Sequence, residues 1–222
     1  MDEAWIREVL DILYEKPMGE AVRYAIPEGP VNEGFRIPAA VSFTAKGSNL
    51  YALGGAYHGT DSVASQILTY GYLWNTIRVQ GGAYGTGLRM SLAGEALYSS
   101  FRDPSGNQSL EAYDRSPEVL REFCDSGEPL DKYIISTIGG QEPLMTPRME
   151  GKRVLLWHFL GQMAEDRQRI RSEVLHTTAD DLRRSADWLE EVSKHAGICV
   201  IGGAEILDAC GDQLDRVEVL QK

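Results

Sequence analysis

No stretch of this chain is apolar for long enough to span a membrane. The longest apolar runs, such as Ile198 to Ile201, fall far short of the ~18 residues a span needs. Basic residues are scarce: 22 Lys and Arg stand against 33 Asp and Glu, a net charge of −11. Such a surface repels phosphate backbones, so nucleic-acid binding is not expected. Cysteine is rare too. Cys124, Cys199 and Cys210 form an odd set without CxxC spacing. That excludes a zinc ribbon or disulfide framework and points to a soluble protein of a reducing compartment, the cytoplasm or an organelle matrix. Cys199 lies in an apolar run and is expected to be buried. The Met1-Asp2-Glu3-Ala4 start has neither the basic nor the apolar region of a secretory signal.

Chemical signatures are missing as well. The four histidines, His58, His158, His176 and His195, build no HExxH, HxxEH or HxH motif. Only His195 and Cys199 share a ligand-like spacing, and no third ligand joins them, so no metal site is expected in this chain. There is no GxSxG elbow. What remains is ample for a folded core: 222 residues, 43% of them hydrophobic.

Residues 4–14 read as a short amphipathic helix, with Ile6, Val9, Leu10 and Leu13 on one face. Pro17-Met18-Gly19 ends it, and residues 25–34 read as a linker. The expected division is therefore a tail and linker over residues 1–31, left from a preceding region, and a domain over 32–222. Ile37 to Ala45 reads as a strand. Thr60 or Asp61 is the expected cap of a helix reaching Ile77. Runs near 87–93 and 95–102 suggest a hairpin. Helices are expected over Leu110–Cys124, Leu130–Ile138, 150–163, 165–174 and Ala179–Lys194. The last carries a Thr178/Asp181 capping box and a stripe of Leu182, Ala186, Leu189 and Val192. Ile198–Ile201 and Val217–Leu220 read as strands, with a short helix around Glu205–Ala209. This order predicts an α+β fold: a mostly antiparallel sheet with helices packed on one face.

Gly82-Ala83-Tyr84-Gly85-Thr86-Gly87 follows a helix and enters a strand. A phosphate loop needs the opposite order, so nucleotide binding is not expected. A helix cap and turn explain Gly81 and Gly82. A functional alternative stays open: glycines admit a substrate backbone closely, and Arg78 and Tyr84 are good donors to carbonyl oxygens.

The segment Trp74-Asn75-Thr76-Ile77-Arg78-Val79-Gln80-Gly81-Gly82-Ala83-Tyr84-Gly85 resembles the signature of the C-terminal domain of presequence proteases, zinc metallopeptidases of the insulinase/pitrilysin superfamily. The likeness continues at Tyr98–Pro104, Thr137-Ile138-Gly139, Glu165–Arg169 and Glu173–Thr178, and Asn32–Pro38 is similar to the segment that opens that domain. It covers roughly residues 32–220. The resemblance implies an insulinase/processing-peptidase-like domain without its own zinc. Zinc would belong to the catalytic N-terminal half of the same polypeptide, which closes with this domain around short unfolded peptides. It also implies that Tyr84 donates to the oxyanion or substrate carbonyl, that Arg78 orients the substrate, and that Gly81, Gly82 and Ala83 border it. By itself the chain would be inactive. A catalytically silent partner subunit, or a peptide-binding or assembly module of the same fold, is the alternative. Thr86 and the stretch Gly139–Pro147 depart from the family pattern.

Overall fold

The computed structural model describes residues 31–220. The expected helix at 4–14, the break after it and the linker up to residue 30 lie outside the described residues.

Six strands form one sheet: β1 (Glu33–Arg36), β2 (Ser42–Asn49), β3 (Gly85–Met90), β4 (Glu95–Asp103), β5 (Gly197–Gly202) and β6 (Arg216–Val219), in the order β3-β4-β2-β5-β1-β6. The pairs β3/β4, β4/β2 and β2/β5 are antiparallel, whereas β1 runs parallel to both β5 and β6. The sheet is thus mostly antiparallel and the class is α+β.

Several boundaries correct the sequence reading, among them β3 at Gly85–Met90 rather than 87–93 and the helix at Pro147–Phe159 rather than 150–163. The first long strand begins at Ser42, not Ile37, and Glu33 and Gly34 belong to β1 rather than to a linker. β1 is four residues with no clear alternation, and its pairing with β5 joins Glu33 to Cys199 and Phe35 to Ile201. Only a partner so distant in the chain satisfies its backbone, so no local signal marks it.

Strand periodicity divides the sheet into two faces. Ser42, Thr44 and Lys46 of β2, with Ala96, Tyr98 and Ser100 of β4, are buried under helices. Their neighbours Phe43, Ser99 and Phe101 face outward and are exposed. Cys199 also sits on this outer side and is half-buried, not buried as expected; the partial burial pushes its thiol up.

The covering layer comprises α1 (Gly59–Gln66) with its continuation Ile67–Gln80, α2 (Gly106–Ser126) and α6 (Ala179–Lys194). Tyr98 of β4 stacks on Tyr113 of α2 with centroids 5.1 Å apart. In α6 the capping box is present, and Leu182, Ala186, Leu189 and Val192 are all fully buried. Burying one such leucine or valine is worth about 1.5–3 kcal/mol. The cap of α1 lies earlier than Thr60 or Asp61, at His58, whose amide donates to the Asp61 carboxylate at 2.8 Å. Further out stand α3 (Asp131–Gln141), α4 (Pro147–Phe159) and α5 (Ala164–Leu175), followed after α6 and β5 by a short α7 (Ala204–Ala209). α4 starts from a Thr146 cap and has no buried residue.

Candidate functional site

The continuation of α1 over Ile67–Gln80 is wound as a π-helix. π-Turns are rare and concentrate at functional positions. Ile67, Leu68, Leu73 and Ile77 anchor it in the core. Arg78 is left at its outer end, with its guanidinium carbon 3.9 Å from the Trp74 ring centroid. That stacking holds a long cation in place without a carboxylate.

The chain then reverses within three residues. The amides of Gly81, Gly82 and Ala83 donate to the carbonyls of Thr76, Arg78 and Ile77 at 3.0, 3.1 and 3.1 Å. Gly82 adopts φ +80°, a left-handed conformation that costs a side-chain-bearing residue about 1–2 kcal/mol. A Cβ at Gly81 would lie 2.6 Å from the Ile77 carbonyl oxygen. Both glycines are therefore required by the bend itself. Ala83 turns inward and is buried, and its amide is spent on Ile77. Of the three residues expected to border a substrate, only Gly82 is exposed.

Tyr84 opens the pairing of β3 with β4 by donating its amide to the Phe101 carbonyl at 3.0 Å. Its ring stands edge-on to Phe101 at 5.6 Å, and Phe101 stands edge-on to Phe43 at 5.1 Å. Tyr84 nevertheless stays 65% exposed, so its hydroxyl faces outward rather than into the core. Arg78 and Tyr84 line the same two shallow depressions, of about 630 and 520 Å³. No carboxylate lines either one. In a chain of net charge −11 that is a local reversal of sign, suited to carbonyl oxygens and carboxylates.

Arg102 joins this surface, lining the second depression with Arg78 and Tyr84. It is the extra residue of a β-bulge, because Ser42 pairs with Asp103 and Phe43 with Phe101. Its φ of +50° is the one positive value of a non-glycine residue among the described residues. A bulge re-aims the side chain it carries, and strained backbone of this kind gathers at functional sites. Beside it, buried Asp103 accepts from the Ser100 and Ser109 hydroxyls at 2.6 and 2.5 Å and from the Ser105 amide at 2.8 Å. These bonds pin the end of β4 to the start of α2. In the sequence Arg102 falls inside the Tyr98–Pro104 stretch with nothing to mark it as a site residue. It stands there only as an Arg directly before Asp-Pro at a strand end, and the conformation that aims it depends on pairing with β2.

Among the described residues, no group of three or more His, Cys, Asp or Glu converges as a metal site. The histidines are dispersed: His58 lies 3.8 Å from Glu173, His176 contacts the Ser172 carbonyl, and His195 lies 4.0 Å from Glu191. No helix among the described residues is long and apolar enough to cross a membrane.

Comparison with known proteins agrees with this architecture. Residues 32–204 match the family model described as the PreP C-terminal domain. The chain is 34% identical over 212 residues to presequence protease 1, chloroplastic/mitochondrial, of Arabidopsis thaliana, covering 95% of this chain and 20% of that protein. It is 31% identical over 203 residues to protein HypA of Clostridium perfringens, covering 91% of this chain and 21% of that one. The chain thus spans about a fifth of the length of these relatives. Among solved structures, a peptidase M16 inactive domain from Pseudomonas fluorescens superposes with a TM-score of 0.61 at 12% identity, over 92% of this chain and 52% of that one. At that identity the likeness speaks for the fold alone. From the family match and the two curated relatives, this chain belongs to the PreP C-terminal domain family.

Proposed function

We propose that residues 32–222 are the substrate-holding C-terminal domain of a longer zinc metallopeptidase that degrades short unfolded peptides, with residues 1–31 the tail and linker of a preceding region. In this reading the Tyr84 hydroxyl donates to the oxygen of the scissile carbonyl as negative charge develops on it. One such donor is worth roughly 10²–10³ in rate. The Arg78 guanidinium, held flat on Trp74, orients the peptide through a backbone carbonyl or a carboxylate. Arg102 adds a second cation on the same side. The Gly81–Gly82 bend keeps the backbone thin beside them, so an extended peptide can pass.

Zinc, when bound, activates the attacking water. Among the described residues no group of ligands fits it; in this reading another part of the polypeptide holds it, and this domain acts on the substrate. One observation carries the reading: Arg78 and Tyr84 reach a single open surface lined by arginines, aromatics and glycines, and free of carboxylates.

Hydrolysis of an unstructured peptide by the full-length polypeptide and by the 222-residue chain alone tests it. Turnover is expected only from the full-length protein. Sustained cleavage by this chain alone, after contaminating proteases are removed, would overturn the division of labour. A full-length protein with no peptidase activity would favour the catalytically silent subunit instead.

A further inference from the structure

A second cavity, of about 730 Å³, lies among α3, α4 and α5 and shares no residue with the depressions around Tyr84. Its size is that of a small-molecule site. Three guanidiniums line it, those of Arg153, Arg167 and Arg171, against one carboxylate, that of Glu142. Glu142 is already engaged by Arg171 at 2.5 Å. No carboxylate of the described residues pairs with Arg153 or Arg167. Each of these two instead stacks on Trp157, with guanidinium carbons 4.7 and 4.2 Å from the ring centroid. Each also spends one N–H on a backbone carbonyl, Arg153 on Gln141 at 3.1 Å and Arg167 on Gln162 at 3.2 Å. The Nε of Arg153 is buried with no hydrogen-bond partner. Leaving such a donor buried and unpaired is costly.

Leu92, Met145, Trp157 and Ile170 supply apolar wall to the same cavity. Two unneutralised guanidinium forks above an apolar wall fit one chemistry, an oxyanion head on an apolar body. We infer that this cavity is a binding site for a small amphipathic anion, held through its carboxylate or phosphate by Arg153 and Arg167 and through its apolar body by the Trp157 side.

The test follows the indole N–H resonance of Trp157 in the ¹⁵N-labelled 222-residue chain, assigned by its loss in Trp157→Phe. Phenyl phosphate, phenylacetate, phenylacetamide and inorganic phosphate are titrated separately. Phenyl phosphate or phenylacetate should shift the resonance saturably, and whichever binds more tightly identifies the head group. Uncharged phenylacetamide should bind at least ~10-fold more weakly than phenylacetate, since charge-assisted bonds carry the recognition. Inorganic phosphate should bind more weakly than phenyl phosphate. Arg153→Gln with Arg167→Gln should abolish saturation while the chain stays folded. If that variant unfolds, the acid-against-amide comparison in the unmodified chain decides alone. No saturable shift with either aromatic anion, or equal binding of acid and amide, would overturn the site. Equal binding of inorganic and phenyl phosphate would overturn the apolar half of the assignment.

Discussion

Arg78 and Tyr84 stand on opposite sides of the Gly81–Gly82 bend, one closing a helix and the other opening a strand, and both border the same two depressions. Neither is committed to the core. Arg78 lies on Trp74 and Tyr84 against the edge of Phe101, and both contacts orient the side chain while leaving its polar end outward. Arg78 is half-buried and Tyr84 exposed, so both remain reachable from outside the domain.

On the proposed reading, removing the Arg78 guanidinium takes away an orienting group. In the full-length protein Arg78→Ala should raise KM for an unstructured peptide and lower kcat, with kcat/KM down by about 10–100-fold. Arg78→Lys should recover only part of the loss, because an ammonium lacks the planar fork. Steady-state kinetics on the two variants check this. An unchanged KM in Arg78→Ala contradicts it.

The two glycines should differ in their tolerance. Gly82→Ala meets no atom closer than 3.6 Å but must hold φ +80°, so it should cost about 1–2 kcal/mol. Gly81→Ala drives a Cβ to 2.6 Å from the Ile77 carbonyl oxygen and must displace the bend, so it should cost more. Denaturant midpoints of both variants give the comparison. Two neutral substitutions would show that the bend is not built as described.

Arg102→Gly relieves the φ of +50° but adds backbone freedom to the unfolded chain. These effects nearly offset, so stability should stay within about 1 kcal/mol of the parent. A fall in kcat/KM of the full-length polypeptide is nevertheless expected, because on the proposed reading a cation leaves the surface that holds the substrate. Unchanged kinetics would reduce Arg102 to a bulge residue.

Asp61 sets a pH dependence. Burial pushes its carboxyl above the ordinary Asp value of 3.8, against the opposing pull of the His58 amide and the Ser185 hydroxyl, which donates at 2.7 Å. A carboxyl with a raised pKa binds its proton more tightly folded than unfolded. Its contribution to stability is therefore greatest in acid and falls as pH rises from the unfolded pKa through the folded one. The melting-temperature difference between the parent chain and Asp61→Asn should shift against the parent from pH 4 to pH 7. A shift in the parent's favour would contradict the sign.

Legibility in the sequence followed the range of the forces involved. α6 was readable to the residue, because Thr178, Asp181 and the Leu182–Val192 stripe lie within one helix and its cap. The β3/β4 hairpin is readable for the same reason, although β3 runs over Gly85–Met90 rather than 87–93. β1 was not, since Phe35 finds Ile201 only after the whole domain has closed. The start of β2 at Ser42 was hidden behind Ile37–Val41, which are apolar enough to pass for strand. The π-winding before Arg78, and the bulge that aims Arg102, arise from packing between elements and leave no periodic mark.

The measurement that bears most directly on the account is turnover and melting temperature together for Tyr84→Phe in the full-length polypeptide. The change removes one hydroxyl, and the ring can keep its edge contact with Phe101. A fall in kcat of about 10²-fold, with melting temperature essentially unchanged, is the expected result. Full activity in Tyr84→Phe, or a loss accounted for by unfolding, would leave Arg78 and Tyr84 as residues of a turn.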